Sequence, residues 1–205
     1  MKKGFAFTSC WLLVLAITLV IALAQTSIIP FHAKLQRIQQ VFGPDGTLES
    51  EQIYAEDYTR NSQGSAYTDG KILDSLTGQM QNSAKVLESA NDGRIYLIDE
   101  GKKTVLISSN PLSMKRFRPP SGGEKKIYLG RTCRVLRNAQ EAGELWIDAE
   151  IGYPLYERRE IPQAGGRKMI RISWVIDLTV NQEPDYRLFR LPSLNGYEII
   201  DRTAK

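Results

Sequence analysis

The chain has 205 residues, enough for one domain or two small ones, and 42% apolar with 24% charged side chains is an ordinary globular balance. That excludes a wholly disordered, collagen-like or multi-span membrane protein. Two cysteines exclude a disulfide scaffold, and a single histidine excludes most metal sites and any triad needing a second one.

Lys2 and Lys3 precede an apolar run that is densest from Trp11 to Ala24 and ends Ala22-Leu23-Ala24 before Gln25-Thr26-Ser27. Basic, apolar and small-residue regions in that order predict a secretory signal peptide cleaved after Ala24. The competing expectation is an uncleaved anchor, because Phe5 to Ala24 is 20 residues and long enough to span a bilayer. Either way the lysines stay inside and residues 25–205 form one periplasmic or otherwise extracytoplasmic domain. Cys10 lies before the apolar run, so it is not a lipid-modified cysteine. After cleavage, 25 Lys and Arg face 23 acids, a net charge of +2 that, with export, argues against a nucleic-acid partner. Cys133 is then the only cysteine and is expected to be a buried small apolar residue.

Phe31, Leu35, Ile38 and Phe42 fall at helical spacing, with Pro30 ahead and Gly43-Pro44 behind, which predicts an amino-terminal helix. His32 lies beside that stripe and reads as structural. Beyond Gly46 the chain breaks into short β-favouring runs. Gln52–Thr59, Lys85–Ser89, Arg94–Asp99 and Lys103–Ser108 are predicted strands, the last three joined through Asn91-Asp92-Gly93 and Asp99-Glu100-Gly101-Lys102. Residues 61–83 carry no clear pattern, and 110–124 form a Pro- and Gly-rich loop. Ile127–Arg137, Glu144–Ala149, Pro154–Ile161, Arg167–Val180, Tyr186–Leu191 and Tyr197–Asp201 follow. Short connections dictate antiparallel neighbours and a β-meander. In Arg167–Val180 the even positions (Ile170, Ile172, Trp174, Ile176, Leu178, Val180) are apolar and the odd ones mainly polar. A strand that long suits a large curved sheet.

No catalytic chemistry stands out. No spaced His/Cys cluster, G-x-S-x-G elbow or phosphate-binding loop occurs, and a Cys133–His32 dyad has no supporting motif. The expectation is no enzyme activity and no cofactor. Basic residues cluster, but Glu144, Glu157 and Glu160 sit among those of the strands; Lys115, Arg116, Phe117 and Arg118 in the Pro-rich loop are the candidate surface for lipid headgroups or a partner.

Three stretches carry a resemblance: YLGRTCRVLR from Tyr128, ELWIDAEIGYPLYERREI from Glu144 to Ile161, and RISWVIDLTVNQEPDYRLFRLPSLNGYEIID from Arg171. Together they resemble the periplasmic lipoprotein-carrier superfamily, which includes outer-membrane lipoprotein-sorting proteins. The resemblance implies a mainly β (α+β) fold, a curved antiparallel sheet forming an unclosed half-barrel around the amino-terminal helix. It further implies non-catalytic binding of a lipid, an acylated protein or a similar amphiphile in an apolar cavity. Trp146, Ile170, Ile172, Trp174, Ile176 and Phe189 are the cavity candidates. The residues at 50–90 depart from the family pattern, being unusually polar around Ser75–Ser83. The alternative reading is a membrane-anchored envelope interaction or sensor domain with an envelope membrane protein as partner.

Overall fold

The computed structural model describes residues 28–82, 84–109, 122–138 and 142–203. The proposed signal or anchor segment and the loop bearing Lys115, Arg116, Phe117 and Arg118 lie outside these residues.

The described chain is mainly strand. In order, β1 (Phe31–Phe42), β2 (Leu48–Arg60), β3 (Ala66–Asp74), β4 (Met80–Asn82), β5 (Lys85–Ser89), β6 (Arg94–Asp99) and β7 (Thr104–Ser109) precede β8 (Glu124–Tyr128), β9 (Arg131–Asn138), β10 (Gly143–Asp148), β11 (Pro154–Pro162), β12 (Lys168–Val180) and β13 (Glu198–Asp201). All belong to one sheet, in the order β13-β7-β6-β5-β3-β2-β1-β12-β11-β10-β9-β8, with β4 appended to β3. The sheet is open, because β13 and β8 are its two ends.

Two expectations are corrected. Residues 31–42 are a strand, not a helix, and no α-helix occurs among the described residues. The stripe Phe31, Leu35, Ile38, Phe42 divides between the two faces of β1. Pairing along the full length of both β2 and β12 satisfies the backbone on both sides and overrides the local period. The topology is also not one meander. Two meanders, β1 to β7 and β8 to β12, are joined by the β1–β12 ladder, and β13 returns to pair in parallel with β7. The long connection between β12 and β13 makes that parallel return possible. Tyr186–Phe189 within it is a 3₁₀ turn rather than a strand. The unassigned stretch 61–83 supplies β3 and β4.

Two cores form, one on each face. Leu87, Tyr96 and Ile107 are cross-strand partners in one row, joined by Ile98 and Val105 in the next. The same row runs on through Tyr67, Thr59 and His32. Phe31 and Ala33 alternate with His32 and therefore point to the other face. There they form the second core with Cys133, Ile151, Leu155 and Val175.

The sheet curls sharply around this second core. Extra residues enter β12 at Ile176 and β11 at Leu155, and such bulges bend and twist a strand. As a result the Tyr128 hydroxyl donates to the Val175 carbonyl at 2.8 Å, although β8 and β12 are four positions apart in the sheet. Tyr153, between β10 and β11, packs on Phe31 and Tyr58 with ring centroids 4.9 and 4.7 Å away. Burial holds the Tyr58 and Tyr153 hydroxyls far above the ordinary phenol range, so both remain neutral.

Phe31 is fully buried at the centre of this cluster. Truncation by Phe31→Ala is expected to lower unfolding free energy by about 3–5 kcal/mol. Urea denaturation measures this, and a loss below about 1 kcal/mol, the size of a surface substitution, contradicts the packing.

Candidate functional site

The lower halves of β1, β2, β3 and β12 extend past both cores. On one face of this extension Leu73, Ile53, Ile38 and Ile172 stand in register across four adjacent strands. Ile170 and Trp174 flank Ile172 on the same face of β12, and all six side chains are half-buried. None of the six belongs to either core or packs against one among the described residues. From Trp174 the row below continues to Tyr156 and Trp146 by cross-strand pairing, with the Tyr156 and Trp146 rings 4.6 Å apart. A patch of aliphatic and aromatic side chains with polar groups around it is the kind of surface that marks an interaction site.

The opposite face of the same strands is ionic. Arg37 donates to Glu56 at 2.8 Å, and Glu157 receives Arg159, Arg171 and the Ser173 hydroxyl. The row is bordered by ion pairs on its own face as well, where Glu160 pairs with Arg158 and Lys168 beside Ile170 and Ile172.

The apolar row borders a belt of charge on its own face. Lys34 lies four residues before Ile38, or about 13 Å along the strand. It pairs with Asp177 at 3.9 Å, while His32 meets Asp57 at 3.3 Å and Lys85 bridges Asp69 and Glu100 at 3.9 and 2.8 Å. Two adjoining cavities open along this belt. One of about 440 Å³ is lined by Lys34, Ala55 and Lys85 among others; the next, about 490 Å³, by His32, Tyr67 and Leu188; both share Asp57 and Asp69. These volumes suit a small-molecule group. The belt is polar, so the described residues do not make one continuous apolar trough.

Of the sequence-derived cavity candidates, Ile170, Ile172 and Trp174 share one face, whereas Trp146, cross-strand to Tyr156, packs against Tyr128 and the core of Phe31 and Cys133. Ile176 is not in that row. It is the extra residue of the β12 bulge, 46% exposed, and lies at the end of the belt beside Leu35. Phe189 is also elsewhere, since its 3₁₀ turn packs it against the core of Leu87 and Tyr96. Ile38, Ile53 and Leu73 were not anticipated. Ile38 had been assigned to a helix stripe and Leu73 to a stretch without pattern; only the pairing of β1 with β2 and β3 puts them together.

The conceivable Cys133–His32 dyad does not assemble: Cys133 lies in the core with Phe31 and Ala33, whereas His32 stands on the opposite face of β1. His32 Nδ1 lies 2.9 Å from the Thr59 hydroxyl, and its other nitrogen faces Asp57. Burial first, and Asp148 nearby second, push the Cys133 thiol up to about 11. Among the described residues no group of three or more His, Cys, Asp or Glu side chains is placed to hold a metal ion. Nor is any described helix long and apolar enough to cross a membrane.

No family model and no curated protein matches the chain. Solved structures do show a likeness. PNGF-II is similar at 12% identity and TM-score 0.38 over 84% of this chain, which spans only 31% of that protein's length. A LolA superfamily protein from Nitrosomonas europaea is similar at 9% identity and TM-score 0.35, covering 80% of this chain and 91% of that one. A putative outer membrane lipoprotein-sorting protein domain from Vibrio parahaemolyticus is similar at 11% identity and TM-score 0.34, covering 86% and 95%.

Because reaction needs the thiolate, Cys133 is expected to resist alkylation in the native protein at pH 8 and to react within minutes in denaturant. Mass spectrometry of iodoacetamide-treated samples measures both. Rapid native labelling at Cys133 contradicts the burial that raises its pKa.

Proposed function

We propose that the protein is an exported, non-catalytic binding protein that carries a lipid, a lipoprotein acyl chain or a similar amphiphile. In this reading residues 1–24 direct export and residues 25–205 are the binding domain, working outside the cytoplasm. The observation that carries the proposal is the uncovered row Leu73, Ile53, Ile38 and Ile172, with Ile170 and Trp174 beside it, bordered on the same face by the charged belt.

An amphiphile needs both parts. An apolar chain gains about 0.8 kcal/mol per methylene removed from water. Side chains standing half out of a sheet offer that burial along a line, whereas a filled core does not. The belt of Lys34, Asp57, Asp69 and Lys85 lies within a short chain's reach and supplies hydrogen-bonding groups for a polar end. The resemblance of Tyr128–Ile161 and Arg171–Asp201 to lipoprotein carriers supports the same reading. The non-catalytic part rests on the separation of His32 from Cys133, which lies in the core on the other face.

The test is native mass spectrometry on protein exported to a bacterial periplasm and purified without detergent. An adduct in the lipid mass range, released on denaturation, is expected. Trp174→Asp and Ile172→Asp each break the row, and uptake of added phospholipid or lipopeptide is expected to fall at least tenfold while circular dichroism keeps its β signature. An adduct-free mass with no uptake, or uptake unchanged in a folded Ile172→Asp protein, refutes the proposal.

A further inference from the structure

The hairpin β8–β9 ends the sheet on one side and concentrates positive charge. Between Glu124 and Arg137 it carries Lys125, Lys126, Arg131, Arg134 and Arg137 against the single acid Glu124, a net charge of +4. Three of these cations are neutralised. Lys126 pairs with Glu144 at 2.8 Å, Arg137 with Glu124 at 2.7 Å, and Arg131 with Asp148 and Glu150. Lys125 and Arg134 have no carboxylate partner among the described residues, and they stand directly opposite each other across the two strands. Like charges in that position repel.

The face that presents this pair also presents uncovered apolar groups. Ile127 and Leu136 alternate with the buried positions of their strands and are 68% and 40% exposed. At the tip, Leu129 is 45% exposed and has φ 50°, followed by Gly130 at φ 72°. Two successive positive φ values define a turn that favours Asn and Gly; a leucine there is strained. None of Ile127, Leu129 and Leu136 belongs to either core. One hairpin therefore holds a repelling cation pair, a strained leucine and three uncovered apolar side chains, none of which the fold uses.

We infer that the outward face of this hairpin is a docking surface for an anionic lipid bilayer. Charge complementarity selects the partner. Lys125 and Arg134 are free to meet lipid phosphates, and repulsion between them falls once anions lie against both. Ile127 and Leu136 are interleaved with the cations rather than gathered in a pocket, an arrangement that matches shallow entry into the headgroup region; Leu129, at the tip, also borders an open cavity beside Ile176 and Val180. This surface is separate from the apolar row on β12, four strand positions away.

The test uses protein expressed as the full chain and purified from the cell envelope in the form the cell leaves. Its readout is the ratio of partition into phosphatidylglycerol–phosphatidylcholine vesicles to partition into phosphatidylcholine alone, which cancels any anchor common to all variants. A ratio of at least ten is expected at low salt, falling toward one in 0.5 M salt, as screening over about one Debye length requires. Lys125→Glu with Arg134→Glu is expected to bring the ratio to about one, while Lys102→Glu on the β6–β7 turn changes it less than twofold. Leu129→Asn relieves the positive φ, so it is expected to lower partition several-fold while leaving the denaturation midpoint equal or higher. A wild-type ratio near one overturns the inference, as does a ratio unchanged by the double reversal or lowered equally by Lys102→Glu. A fall in stability in Leu129→Asn makes that residue structural and also overturns it. Binding to poly-glutamate without binding to anionic vesicles replaces the bilayer with an acidic protein partner.

Discussion

The antiparallel ladder between β1 and β12 is the constraint on which the rest of the molecule depends. It joins two meanders that share no other long pairing, and it sets Phe31 and Ala33 beside Val175 in one core. The two strands it pairs, with β2, are 12 or 13 residues long, while β5 to β10 have between five and eight. Strands of unequal length cannot all end at the same core. The surplus length of β1, β2 and β12 projects beyond it as a two-faced sheet, and the apolar row stands on that surplus. The bulge at Ile176 matters for the same reason. It changes the parity of β12, so Val175 shares the core face with Leu178 and Val180 while Trp174 and Ile172, alternating with Val175, face the other way.

The other side of the extension carries a network of ion pairs. Half-exposed ion pairs each add little to stability, typically no more than about 1 kcal/mol. Their effect is on what the surface accepts: a face occupied by Arg37, Glu56, Glu157 and Arg171 is poor ground for an apolar partner. On the apolar side the pairs border the row instead: Glu160 with Arg158 and Lys168 on its β11 flank, and Lys34 with Asp177 at its far end. In the proposed reading, a ligand on that face would meet hydrocarbon along the row and charge at its borders.

Much of this was legible in the residues, for identifiable reasons. The alternation in Arg167–Val180 announced a long half-buried strand, and Ile170, Ile172 and Trp174 do share a face as that alternation requires. It misplaced Ile176 because a bulge is a property of the pairing partner as much as of the strand itself. The helix over Phe31–Phe42 failed for a related reason. FHAKLQRIQQVF fits period 3.6 and period 2 about equally well, and only two full-length neighbours decide between them. Leu73 and Ile53 were invisible as site residues because their meaning lies in register with Ile38, which no local pattern encodes. Phe189 belonged to an apolar set by composition, but its turn delivers it to the other end of the sheet.

The two uncovered apolar surfaces differ in a way that suits different tasks. The row across β3, β2, β1 and β12 is central, and each of its members is flanked by paired strands that already shield half of it. An apolar chain lying there completes a burial that the sheet has begun. The hairpin β8–β9 is at an edge, its leucine and isoleucine stand out further, and cations are set between them. Completing burial there takes an extended surface with negative charge rather than a single chain. In the proposed reading the row would hold an amphiphile and the hairpin would meet a bilayer, and the length of β1 and β12 keeps these two surfaces apart. The Tyr128 hydroxyl ties β8 to the middle of β12, so hairpin and row belong to one continuous sheet.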